Sequence, residues 1–276
     1  MIGPAFYEAY ANVLVSQSLL IALYRDPDRV RTTYGLNADE LELLRSASPA
    51  TIQLSQGIIR GKRHAVLEQS LPQTMAVLRE FDGYRLVGTY VDDALLRPDL
   101  DMLRPATHGT DFVAWLTRQE ARIPPRLLDL ARFELAIADL RSDNAAASAA
   151  RDKAVTAGAG GADLGGEARP WMTADVRVVA ASIDVLALPA ETTLAALAAA
   201  PPRPGGVLLR KVWDQPRPLF HRIGVATVEL LLRCDGRHTV DQLLDQVAGD
   251  DAGHREGALA TLRGLAGLTV LSVTRE

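Results

Sequence analysis

The sequence predicts an α+β protein: an N-terminal all-helical domain over residues 1–143, an Ala/Gly-rich linker or loop over 144–170, and a winged helix-turn-helix-like domain over 171–276 with a three-stranded sheet and three helices. Three observations predict it. Apolar residues recur at helical spacing through the first half, strand-like alternation takes over from Val176 to Ile223, and the tail returns to helical periodicity. A chain of 276 residues with 48% hydrophobic and 23% charged content has material for two domains, each with its own core.

Each element has a local signal. Ala5 to Leu23 is expected as one long apolar-striped helix. Asp26-Pro27 places a cap before a proline at the first helical position, and Gly35 ends the helix it starts. Asn37 with Glu40 has capping-box spacing, Ser48-Pro49 opens a longer helix, and Leu71-Pro72 breaks it before another. The segments Tyr84 to Leu96, Asp111 to Gln119 and Arg126 to Leu140 complete the helical module. The run NAAASAARDKAVTAGAGGADLGG from Asn144 to Gly166 has no large apolar stripe and is read as linker or loop.

In the second half, Val176 to Leu188, Val207 to Trp213 and Pro218 to Ile223 supply three strands, the last two forming a hairpin, with a short Ala-rich helix over Glu191 to Ala200. Val225 to Arg233, Val240 to Val247 and Arg255 to Leu265 are the three helices, and Leu268 to Val273 is a final β-prone run. Asp235-Gly236 stops the first helix with glycine at the left-handed position, and Thr239 caps the second.

Composition narrows the function classes. The net charge is only −4 with Lys and Arg scattered, so no general nucleic-acid or membrane-surface footprint is expected. The single Cys234 cannot form an internal disulfide, the N-terminus lacks a secretory pattern, and no apolar run is long enough for a bilayer; a cytoplasmic protein is expected. None of His64, His108, His221, His238 and His254 has a helical His-x-x-x-His or Cys-paired metal spacing. Cys234 ends an apolar helix and reads as a small buried residue, and GAGGADLGG lacks the Lys-Ser/Thr of a phosphate loop. No catalytic constellation emerges, so the chain is expected not to be an enzyme.

The stretch VELLLRCDGRHTVDQLLDQV (Val228 to Val247) with ALATLRGLAGLTVL (Ala258 to Leu271) resembles the peptide-recognition element of pathways that modify ribosomally made peptides. The shared pattern is an apolar helix ending in Cys-Asp-Gly, then Thr-Val and a second apolar helix, then a Leu-rich helix ending in Gly-Leu. The segments LPQTMAVLREF (Leu71 to Phe81), HGTDFVAWL (His108 to Leu116) and RLLDLARFELAIADL (Arg126 to Leu140) resemble the helical domain of the partner proteins of multinuclear non-heme iron oxidative enzymes, as in methanobactin biosynthesis. The Ala/Gly insert and the long N-terminal helices depart from that pattern. The resemblance implies a non-catalytic accessory subunit in a heterodimer with an iron-dependent peptide-modifying enzyme. It would hold a precursor's leader peptide as an added strand beside the sheet and the third helix, with the iron in the partner and no cofactor on this chain.

Strand alternation then nominates residues. Leu208 and Arg210 share one face and Leu209 and Lys211 the other; Phe220 and Arg222 oppose Leu219, His221 and Ile223. The expected peptide-binding set is Leu209, Arg210, Lys211, Val212, Phe220 and Arg222 on the hairpin, with Leu259, Leu262 and Arg263 on the third helix. His108, Arg132 and Glu134 are the candidate partner-docking residues. The alternative is a winged helix-turn-helix DNA-binding regulator, whose would-be recognition helix offers only Arg255 and Arg263 as bases.

Overall fold

The computed structural model describes residues 2–94, 105–155, 164–249 and 251–274. They form two compact units, Met1–Trp115 and Leu116–Glu276, and the chain is α+β as its sequence predicts.

The first unit opens with α1 (Pro4–Val13), α2 (Gln17–Arg25), α3 (Pro27–Tyr34), α4 (Ala38–Ser46) and α5 (Pro49–Ser70). The single helix expected over Ala5 to Leu23 is two, bent by 115°. Ser16 causes the restart: its backbone is extended and its hydroxyl accepts from the Leu19 N–H, as an N-cap does. The bend lets both helices bury apolar faces together, with Phe6, Ala9, Val13, Leu20 and Leu23 in one cluster with Val30, Leu44 and Ile52. The other caps are as the sequence predicts, including Gly35 in the left-handed region and the reciprocal Asn37–Glu40 capping box. Glu40 also accepts from the Gly3 N–H, and these N–H donors hold its carboxyl below the usual range.

The unit continues through α6 (Pro72–Asp82), α7 (Arg85–Ala94) and α8 (Pro105–Arg118), which crosses the boundary between the units. Leu95 and Leu96, expected at the end of α7, lie outside the described residues. Tyr90 is fully buried among the rings of His108, Phe112 and Trp115. No single helix among the described residues is long and apolar enough to cross a bilayer; α1 and α2 pass that test only when joined across their bend.

The second unit begins with α9 (Leu127–Ser142) and α10 (Asn144–Val155). Grouped by sequence with the N-terminal helices, α9 packs instead against the sheet of this unit. Residues 144–155, expected as linker, are helical. Alanine is the strongest helix former, Asp143 accepts from the Ala145 and Ala146 N–H groups at the helix start, and Ala146 and Ala150 are buried one turn apart. Residues 156–163 of that expected linker lie outside the described residues.

Then come β1 (Arg169–Met172), β2 (Val176–Ile183), α11 (Leu194–Ala199), β3 (Pro202–Arg210), β4 (Leu219–Ile223), α12 (Val225–Arg233), α13 (Val240–Ala248), α14 (Ala252–Gly267) and β5 (Leu271–Thr274). One antiparallel sheet has the order β2-β3-β4, with α9 and α12 packed against it. The final β-prone run finds its partner in β1, giving a two-stranded sheet that sequence reading did not foresee. The Thr239 cap is present, but Gly236 does not end α12: the helix stops at Arg233 with Cys234 as its C-cap, and Gly236, left-handed in the turn that follows, donates its N–H to the Pro170 carbonyl of β1.

Gly206 permits the close stacking of α12 on this sheet. A Cβ there would stand 2.4 Å from the Val179 carbonyl oxygen and 2.7 Å from a Val228 methyl, so any side chain would push strand and helix apart.

Arg177 ties α9 to β2. Its guanidinium donates to Asp139 at 2.6 Å and Asp143 at 2.7 Å, and also to the Ala174 and Val176 carbonyls. Burial raises the Asp143 carboxyl, but the Ala146 N–H, Arg177 and the Ala145 N–H together bring it below its ordinary value. A depressed carboxyl stabilises the fold fully above its unfolded value of about 3.9 and loses that contribution as pH falls through the folded value. Arg177→Leu is expected to cost about 2 kcal/mol at neutral pH and to flatten the fall in stability on acidification below about pH 4. Urea midpoints measured across that range check both; an unchanged acid slope would count against the assignment.

Candidate peptide-binding edge

The site is built from β4 outward. Its inner side pairs with β3, while its outer side has no backbone partner among the described residues. Unpaired N–H and C=O groups in a row form a template for another strand. The opposite edge differs: β2 has a register shift between Ala181 and Ile183, and Asp129 accepts from both the N–H and the hydroxyl of Ser182 there. A bulged and bonded edge is blunted; β4 has neither device.

Cross-strand register assigns the faces. Leu209 stands opposite Phe220 and Val207 opposite Arg222, so these four share a face with Arg177, which pairs with Leu209. That face looks to α9: the Phe220 ring lies 5.5 Å from Phe133, and Arg177 reaches Asp139. The other face carries Leu208 and Ile223, packed into the core that also holds Leu230, Leu243 and Leu262 of the three C-terminal helices. Leu219 and His221, in alternation with Ile223, belong to this second face and are exposed.

The expected peptide-binding residues are therefore not one surface. Leu209, on the α9 face, and Leu262, in the core of the C-terminal helices, are both 0% exposed, so neither is available to a guest. Arg210 donates to the Leu268 carbonyl and the Thr269 hydroxyl and lies 3.7 Å from Asp175. The Lys211 ammonium donates to the Leu140 carbonyl at the end of α9, where a cation suits the helix terminus. Val212 is partly buried. Phe220 and Arg222 are on the exposed edge but face α9, whereas Leu259, partly buried, and Arg263, exposed, are on α14. Sequence alternation separates Phe220 and Arg222 from Leu219, His221 and Ile223; only the pairing with Leu209 shows which set points away from α14.

The candidate docking residues also divide. His108, whose ring stacks against Tyr90, and Glu134 are both buried, so neither side chain stands on the surface of this chain for a partner to reach. Arg132 is exposed on α9.

The hairpin is basic within an acidic chain. Residues 202–223 contain Arg203, Arg210, Lys211, Arg217 and Arg222 against Asp214 alone. Asp184 receives both Arg203 and Arg222 at 2.9 Å, two guanidinium groups on one carboxylate. Burial pushes this carboxyl up, but the two arginines outweigh that and hold it below its usual value. Among the described residues no group of three or more His, Cys, Asp and Glu side chains is arranged to hold a metal ion. Neither a protein-family model nor a curated protein matches the chain.

Proposed function

We propose that this protein is a non-catalytic accessory subunit that binds the leader region of a ribosomally made precursor peptide and presents it to an iron-dependent modifying enzyme. The observation that carries the peptide-binding half is the unpaired outer edge of β4, in a basic hairpin and next in sequence to the helices whose motif suggested peptide recognition. An extended guest gains main-chain hydrogen bonds there whatever its sequence, and positive charge around the edge favours an acidic one. Iron chemistry is assigned to the partner on the strength of the resemblance in the helical segments.

The regulator reading is less well supported. Arg255 on α14 is bonded to Asp245 and lies 3.9 Å from Asp241, so α13 puts carboxylates where a DNA-reading helix needs free bases.

Backbone pairing is tested with fluorescein-labelled acidic peptides N-methylated at alternate residues, in both phases. A strand presents alternate N–H groups to each side. One phase is expected to lose at least about tenfold in affinity while the other retains binding. Equal binding in both phases would rule out strand addition, and a salt-sensitive shift of duplex DNA would favour the regulator.

A further inference from the structure

We infer that the α9 face of β4 reads the guest as well, selecting an aromatic residue and an acidic residue two positions apart. The inference rests on the proposed strand addition at β4. A guest strand continues the sheet, so its side chains alternate between the two faces. Residues opposite Phe220 and Arg222 would lie on the α9 side, and the residue between them on the side of His221.

Two features define the subsites. Phe220 is 36% exposed, and its ring already contacts Phe133 at 5.5 Å with the planes inclined by 54°. Cross-strand neighbours stand about 5 Å apart, so an aromatic guest residue opposite Phe220 would extend this row to a third ring. Two residues along, Arg222 shares Asp184 with Arg203, leaving two cations on one anion at a partly exposed position. A guest carboxylate there would neutralise the excess charge. The two-residue spacing holds in either strand direction, because it depends only on the side-chain period. On the opposite face, positions beside Leu219 and Ile223 take apolar residues. The ligand class is thus an extended acidic peptide with an aromatic and an acid separated by one residue, and apolar residues flanking that triplet.

The experiment uses the intact 276-residue chain and labelled peptides of that pattern, in which the aromatic is Phe or Ala and the acid Asp or Asn. Phe220→Ala is expected to weaken the Phe peptide by about two- to tenfold more than the Ala peptide. Arg222→Gln should reduce the preference for Asp over Asn by about two- to fivefold. Phe220→Leu, which keeps apolar bulk, guards against a folding defect, with circular dichroism melts of every variant. If both variants weaken all peptides equally while the N-methylation phase effect persists, the α9-face readout is overturned and strand addition stands. If no such peptide binds, or N-methylation is without effect in both phases, both fall.

Discussion

Cys234 in the folded chain is expected to react with a thiol reagent on the order of a thousandfold more slowly than the same cysteine in urea. The side chain is 3% exposed and its Sγ lies 3.3 Å from the Leu230 carbonyl, to which it donates. Burial, with a smaller contribution from the neighbouring Asp235 charge, pushes the thiol up to about 12. The thiolate is the nucleophile, and each unit of displacement from an ordinary value near 8.5 removes it tenfold. Basic neighbours in the sequence, Arg233, Arg237 and His238, do not reverse this; His238 is engaged with Asp235 instead. The sign for stability follows. The raised group costs nothing below the unfolded value of about 8.5, and the folded state loses ground as pH rises from there toward 12. Colour development with a disulfide reagent at pH 8, native against denatured, measures the rate ratio. Complete labelling of the native protein within the mixing time would contradict the buried assignment and reopen Cys234 as a reactive group.

The features legible in the sequence are those that local chemistry determines. Asn37 with Glu40, Ser48 before Pro49, Thr239 with Gln242, and the left-handed Gly35 each act within a few residues, so spacing alone locates them. Ser16 acts just as locally but sits inside an apolar run whose periodicity continues across the bend, which hid it. Non-local choices were not legible. The helical pattern of α9 suits packing on helices or on a sheet equally well, and what docks it on β2 is Arg177, over thirty residues from its carboxylates. The β1–β5 pairing joins segments about a hundred residues apart. For the candidate site, alternation within PLFHRI separates the two sets of side chains, but the direction of each set depends on partners across the sheet. That is why a residue set chosen from sequence combined Phe220 and Arg222 on one face with Leu259 and Arg263 on the helix beyond the other. Core and surface leucines were likewise indistinguishable one helical turn apart in α14.

Leu262→Ala is expected to lower the stability of the second unit by about 2 to 5 kcal/mol, whereas Leu259→Ala should cost roughly 1 kcal/mol or less. Leu262 is fully enclosed in the cluster with Leu208, Leu231, Leu243 and Leu271, so truncation removes apolar contact and leaves a cavity. Leu259 packs only partly against the same cluster. Amide hydrogen exchange in α14 and β5 reads this unit without interference from the first. Protection there should fall by at least about thirtyfold in Leu262→Ala and by no more than about fivefold in Leu259→Ala. The contrast decides how binding data on this helix are interpreted. A polar substitution such as Leu262→Asp would place a charge in that core, so lost peptide binding would report unfolding rather than a missing contact. Leu259→Ala and Arg263→Gln leave the core intact, and a selective fall in peptide affinity with either places the guest against α14. If Leu262→Ala is instead as stable as the parent chain, the three C-terminal helices do not share one core with β3, and the sheet that carries the β4 edge loses that support.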